Sequence, residues 1–158
     1  PGLLEDLQNV EAREKMAWAD TLAGLCIAIA GVTLPHGMGM AIGGMYPHVA
    51  HGEALAIVYP ACTRFTYANA ERQYSKLARI LNPSLEGLTD QEAAKASVEE
   101  VEKFLQKIGL HKKLKDVNMP EDEIQALAKQ CMVLPDYEGN PRVATEEEMV
   151  ELVKESFY

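Results

Sequence analysis

Basic residues are scarce in this sequence. It sets 15 Lys and Arg against 24 Asp and Glu, for a formal net charge of −9. A protein that binds phosphates needs a basic face, so this balance argues against nucleic acid and anionic membrane as partners. Cysteine is scarce as well. Cys26, Cys62 and Cys131 are widely spaced and form no CxxC pair, which fits a reducing, cytoplasmic setting with all three thiols buried as small core hydrophobes. Long apolar runs are nearly absent. The one contender, Met16 to Val32, carries the single charge Asp20 and spans 17 residues, the lower limit of the ~17–25 needed to cross a bilayer. No basic segment precedes it, so it is not a signal peptide. A helix apolar on nearly every side is also what the centre of a helical protein contains, and that is the expectation here. Strand signals are missing too: no segment alternates with period two for long enough to demand a strand.

What is present is helix punctuation. Asn9 is a good N-cap, Glu11 lies in the first turn that follows, and Gly31 ends a helix running to about Ala30. A second apolar helix follows His51-Gly52, with Pro60 inside it as a kink. Glu71 to Leu81 reads as a third, stopped by Asn82-Pro83. Thr89 and Glu92 frame a capping box that opens an amphipathic helix, with Val98, Val101, Leu105 and Ile108 on one side and Gly109 at its close. Pro120 begins the next, with Ile124, Leu127, Ala128 and Cys131 facing in. Thr145 and Glu148 frame another capping box before a final helix carrying Met149, Val150, Leu152 and Val153. The predicted fold class is all-α: a compact bundle of six or seven helices filling residues 1–158. The first two apolar helices should lie at its centre, wrapped by the amphipathic ones.

Chemistry concentrates in one place. Between Gly31 and Ala56 the chain is dense in glycine and holds His36, His48 and His51, whereas His111 stands in the basic run HKKLK near a helix end. Neutral imidazoles are good ligands for Fe(II), Zn(II) and Mn(II), and glycines give room for close approach. Spacing alone does not select a metal, because no HExxH and no carboxylate at a diagnostic offset is present. Asp20 and Glu53 are the candidate acidic partners, although Glu53 also suits its place in a helix first turn.

The run GVTLPHGMGMAIGGMYPHVAHGEALAIVYP resembles the signature of the iron-containing alcohol dehydrogenases. There a His-bearing helix start is followed by Gly-Gly, a short stretch, and His-Gly before the next helix. Glu11 to Met16 with Leu22-Ala23-Gly24 resembles the helix before that signature, and Asn140-Pro141-Arg142 with Thr145 resembles the family's C-terminal end. The resemblance implies the helical half of a two-part enzyme. Its divalent metal, Fe2+ or else Zn2+ or Mn2+, would sit in a cleft against an N-terminal α/β domain that binds NAD or NADP. Carried over by motif, His36 and His51 match the last two histidine ligands, which hold the metal so that it polarises the oxygen of a small alcohol or aldehyde.

This sequence departs from that pattern in three ways. One helical turn after His36 the family places a histidine near the nicotinamide; here that cofactor-binding position is Met40, whose thioether cannot move protons. The interval from His36 to His51 is slightly longer than usual and contains an additional His48. His51 is the preferred ligand, because His51-Gly52 runs on into the helix as the motif does. Finally, neither the upstream Asp and His ligands nor a GxGxxG or GGGS loop after a strand is found in these residues. The expectation is therefore that the cofactor-binding domain is absent from this chain and is its natural partner. Two other readings stay open. The His-Gly-Glu-Ala at 51–54 also resembles dehydroquinate synthase and glycerol dehydrogenase, in the same superfamily. A non-catalytic helical module acting through protein contacts would instead show an uncovered apolar face and a tendency to form homo-oligomers.

Overall fold

The computed structural model describes residues 2–158. These residues divide into two units, one ending at Val32 and the other running from Thr33 to Tyr158. Among them every regular element is helical: eight α-helices and five short 3-10 turns, with no strand.

The first unit holds α1 (Gly2–Glu5) and α2 (Val10–Ala30). The start of α2 is set as the sequence indicates: the Asn9 side chain accepts the Ala12 N–H at 3.0 Å, satisfying one of the donors that a helix start leaves unpaired. Its end is Gly31, at φ 73°, whose N–H reaches the Ile27 carbonyl at 2.8 Å. The expectation that α2 is the buried central helix is wrong. No residue of it is buried; Trp18 is 63% exposed and Ile29 87%. Cys26 goes with it and is exposed, against the expectation of three buried thiols. A helix apolar around its whole circumference signals that something covers it, but periodicity does not say what.

The second unit contains α3 (Leu34–Met45), α4 (His51–Thr66), α5 (Glu71–Leu81), α6 (Asp90–Lys107), α7 (Ile124–Cys131) and α8 (Glu146–Phe157). Here α4 is the hub, packed against α3, α6 and α8, while α5 lies along α6 and α7 lies against α3 and α8. Its buried side includes Ala54, Ile57, Val58, Ala61 and Cys62. Leu34, Met38 and Ile42 of α3 form an i, i+4, i+8 stripe facing the same core, met by Leu127 of α7 and by Met149, Leu152 and Val153 of α8. Both expected capping boxes are present, at Thr89–Glu92 and Thr145–Glu148. The Asn-Pro-Arg stretch has a structural use. Buried Asn140 donates to Thr66 Oγ1 at 2.9 Å and to the Arg142 carbonyl at 2.8 Å. Arg142 lies 4.0 Å over the Phe65 ring, so the segment before α8 is fastened to the end of α4. No single described helix is long and apolar enough to cross a membrane.

Two measurements check this core. Leu127 is fully buried, so Leu127→Ala should cost ~2–5 kcal/mol in urea unfolding through lost transfer energy and the cavity left behind. Burial pushes the Cys131 thiol up to about 12 and raises the Cys62 thiol as well. Both should resist a thiol reagent at pH 8 until the protein is denatured. Because the folded state disfavours their thiolates, the stability linked to them is complete below about pH 8.5, the range of an unfolded thiol, and falls as pH rises above it.

Candidate metal centre

Two helix starts build the site. Pro35 lies in the first turn of α3, where its missing N–H costs nothing, and His36 follows it with its N–H on the Thr33 carbonyl at 2.9 Å. With Leu34 and Met38 turned into the core, His36 projects roughly 200° away from them along the helix wheel. His51 is the first residue of α4, after Ala50 in an extended conformation. Packing of α3 on α4 brings the two rings together, with centroids 5.2 Å apart and planes at 76°.

Glycine makes this approach close. A β-carbon at Gly39 would stand 2.9 Å from Leu55 Cδ2 and 3.4 Å from His51 Cε1. At Gly37 it would meet Asp136 Cβ at 3.1 Å. That second contact exposes a residue that sequence reasoning missed. Asp136, in the 3-10 turn Pro135–Gly139, places Oδ2 2.9 Å from His36 Nδ1. It lies 100 positions along the chain from His36, and no spacing rule links the two. The only local hint is a glycine directly after the helix-start histidine.

The remaining candidates are elsewhere or otherwise engaged. His48 Nε2 sits 2.8 Å from the Val117 carbonyl, and its ring stands edge-on to Tyr46. Met40 is one turn beyond His36 on α3 and 47% exposed. Glu53 pairs with Lys112 at 2.6 Å. Asp20 is exposed on α2, and His111 is exposed too. Among the described residues no group of three or more His, Cys, Asp or Glu is arranged to hold a metal ion. What the site offers is two converging imidazoles, one of them backed by a carboxylate. A separate apolar groove of 460 Å³ runs between α4, α5 and α6, lined by Gly52, Leu55, Tyr59, Leu77, Leu81 and Phe104 and by neither imidazole.

Comparison with known proteins gives this arrangement its class. The sequence family described as Fe-containing alcohol dehydrogenase, C-terminal, matches residues 1–157. Lactaldehyde reductase of Escherichia coli is 34% identical over 90% of this chain, and the NAD-dependent methanol dehydrogenase of Bacillus methanolicus is 26% identical over 98%. The crystal structure of an archaeal halo-thermophilic alcohol dehydrogenase from a Red Sea brine pool superposes with a TM-score of 0.91 at 31% identity, covering 98% of this chain. The chain belongs to the iron-containing alcohol dehydrogenase family and corresponds to its C-terminal helical part. It spans 37% to 40% of the length of these relatives.

The glycine contacts predict an asymmetry along α3. A β-carbon at Gly43 meets nothing within 4 Å, so Gly43→Ala should stabilise the protein by up to ~1 kcal/mol through helix propensity. Gly39→Leu should destabilise it, because overpacking at ~1–3 kcal/mol outweighs the same propensity gain. Urea midpoints measured side by side decide the sign of each.

Proposed function

We propose that this chain is the metal-binding part of an NAD(P)-dependent alcohol dehydrogenase, which interconverts an alcohol and its aldehyde or ketone by hydride transfer. His36 and His51 are the residues that would hold the divalent cation. The observation that carries the reading is the 5.2 Å separation of their rings at two adjoining helix starts. Two imidazoles on one tetrahedral ion, each with a metal–nitrogen distance near 2.0–2.1 Å, have centroids about 5 Å apart. The donor chemistry also fits. Imidazole suits iron and zinc alike, and the choice among Fe2+, Zn2+ and Mn2+ belongs to the complete ligand set. When bound, the ion supplies Lewis acidity toward the substrate oxygen.

The chain's own residues have two tasks in this reading. His36 and His51 would orient the ion from rigid helix starts. The partial positive charge of those helix ends favours the oxygen of a substrate as it gains negative charge. Two imidazoles are half of a four-ligand set. The other donors and the dinucleotide site belong to an N-terminal α/β domain in this proposal, supported by the greater length of the relatives. Met40 would lie toward that cofactor, where a thioether would lend contact but no proton transfer. Relatives named for reduction or dehydrogenation of small alcohols and aldehydes favour this reading over a dehydroquinate synthase-like one.

Zinc titration tests the ligand assignment. His36→Ala and His51→Ala should each weaken binding by more than the ~10–100-fold that losing an outer-shell partner costs, whereas His48→Ala should leave it unchanged. Affinity that survives loss of both His36 and His51 would remove the proposal's basis.

A further inference from the structure

We infer that Asp136 is the positioning residue that fixes which nitrogen His36 offers to the metal, an inference that rests on the metal reading above. An ionised carboxylate only accepts hydrogen bonds. With Asp136 Oδ2 2.9 Å from His36 Nδ1, the proton of the neutral ring is therefore held on Nδ1. The lone pair is left on Nε2. Free imidazole exchanges between two tautomers and rotates; a ring held at Nδ1 does neither, and presents one donor in one direction.

Asp136 is itself well placed to impose this. Its β-carbon rests against the α3 backbone at Gly37, where any other residue would stand within 3.1 Å of it. The turn that carries it packs on α3. Just beyond that turn, buried Asn140 is bonded to Thr66 at the end of α4. The carboxylate is thus referenced to both helices whose starts bear the imidazoles. It is also largely covered, its side chain 19% exposed, so water competes poorly for the bond. An ordinary surface ion pair has none of these supports and contributes little. As an ion pair it would also require a protonated ring, which has no lone pair left for a metal.

Two measurements on the protein test the inference. Long-range proton–nitrogen correlation spectra of the metal-free protein report the tautomer of each imidazole. His36 should carry its proton on Nδ1 in the wild type and shift toward the Nε2-protonated form in Asp136→Ala. Zinc titration should then show Asp136→Ala weakened ~10–100-fold. Asp136→Asn, whose amide oxygen still accepts the Nδ1 proton, should recover most of that loss. A purely structural role for Asp136 would move neither the tautomer nor the ranking of the two variants. A wild-type His36 protonated on Nε2, or an Asp136→Ala protein that binds zinc as tightly as the wild type, overturns the inference. Two imidazoles are half of a ligand set, so where zinc is held too weakly to titrate, the ring spectrum alone decides the role of Asp136; zinc uptake that survives loss of both His36 and His51 removes the metal reading of the preceding section and leaves that spectrum standing. That spectrum needs no substitution, so it is decisive even where a variant folds poorly.

Discussion

The contact on which the site depends is the packing of α3 against α4 at Gly39, where the Leu55 side chain occupies the space a β-carbon would take. Nothing larger than a hydrogen fits there without moving Leu55 and touching His51. Helix axes usually stand 8–10 Å apart, by an amount that depends on the side chains at the crossing. Glycine at position 39 leaves room there for the Leu55 side chain and the edge of the His51 ring. The apolar stripe of Leu34, Met38 and Ile42 fixes the rotation of α3 about its axis, and Ile57, Val58 and Ala61 do the same for α4. The geometry of two polar side chains is in this way set by core packing that neither of them joins.

Polar contacts then refine what packing brings near. Each histidine of the glycine-rich passage has a different fate, and the difference is in its partner. His48 meets a backbone carbonyl on the Leu114–Val117 turn, a connection that ties one loop to another. His36 meets a carboxylate and keeps a nitrogen free. Equivalent ring chemistry therefore yields a loop fastener in one case and a candidate ligand in the other. The neighbouring acid Glu53 is held by Lys112 and adds no charge to the imidazole pair that Lys112 does not offset.

The helix boundaries were readable from local chemistry. Asn9, Gly31, Asn82-Pro83, Thr89, Gly109 and Thr145 each act on the hydrogen bonds of the turn beside them, and all mark helix ends in the structure. Inward faces of α7 and α8 were readable for the same reason, since amphipathic periodicity is local; on α6 the expected stripe is met only in part, with Val98 and Leu105 buried, Val101 and Ile108 half-buried, and Ser97 and Glu100 buried in their place. The placement of α2 was not. Its Ala- and Gly-rich surface has no preferred side, so the sequence announces apolar area without naming what covers it, and Cys26 was misplaced along with its helix. The nearness of His36 to His51 was legible through a motif. Asp136 was not, because its contact spans 100 positions and leaves only the glycine at 37 as a trace.

On the proposed reading the imidazole pair is short of donors rather than misplaced. Two imidazoles cannot close the coordination of a divalent ion, which holds firmly only when a four-membered set is complete. The remaining donors would come from the domain proposed above. Its docking and metal binding would then be coupled by mass action, each raising the affinity of the other by the same factor.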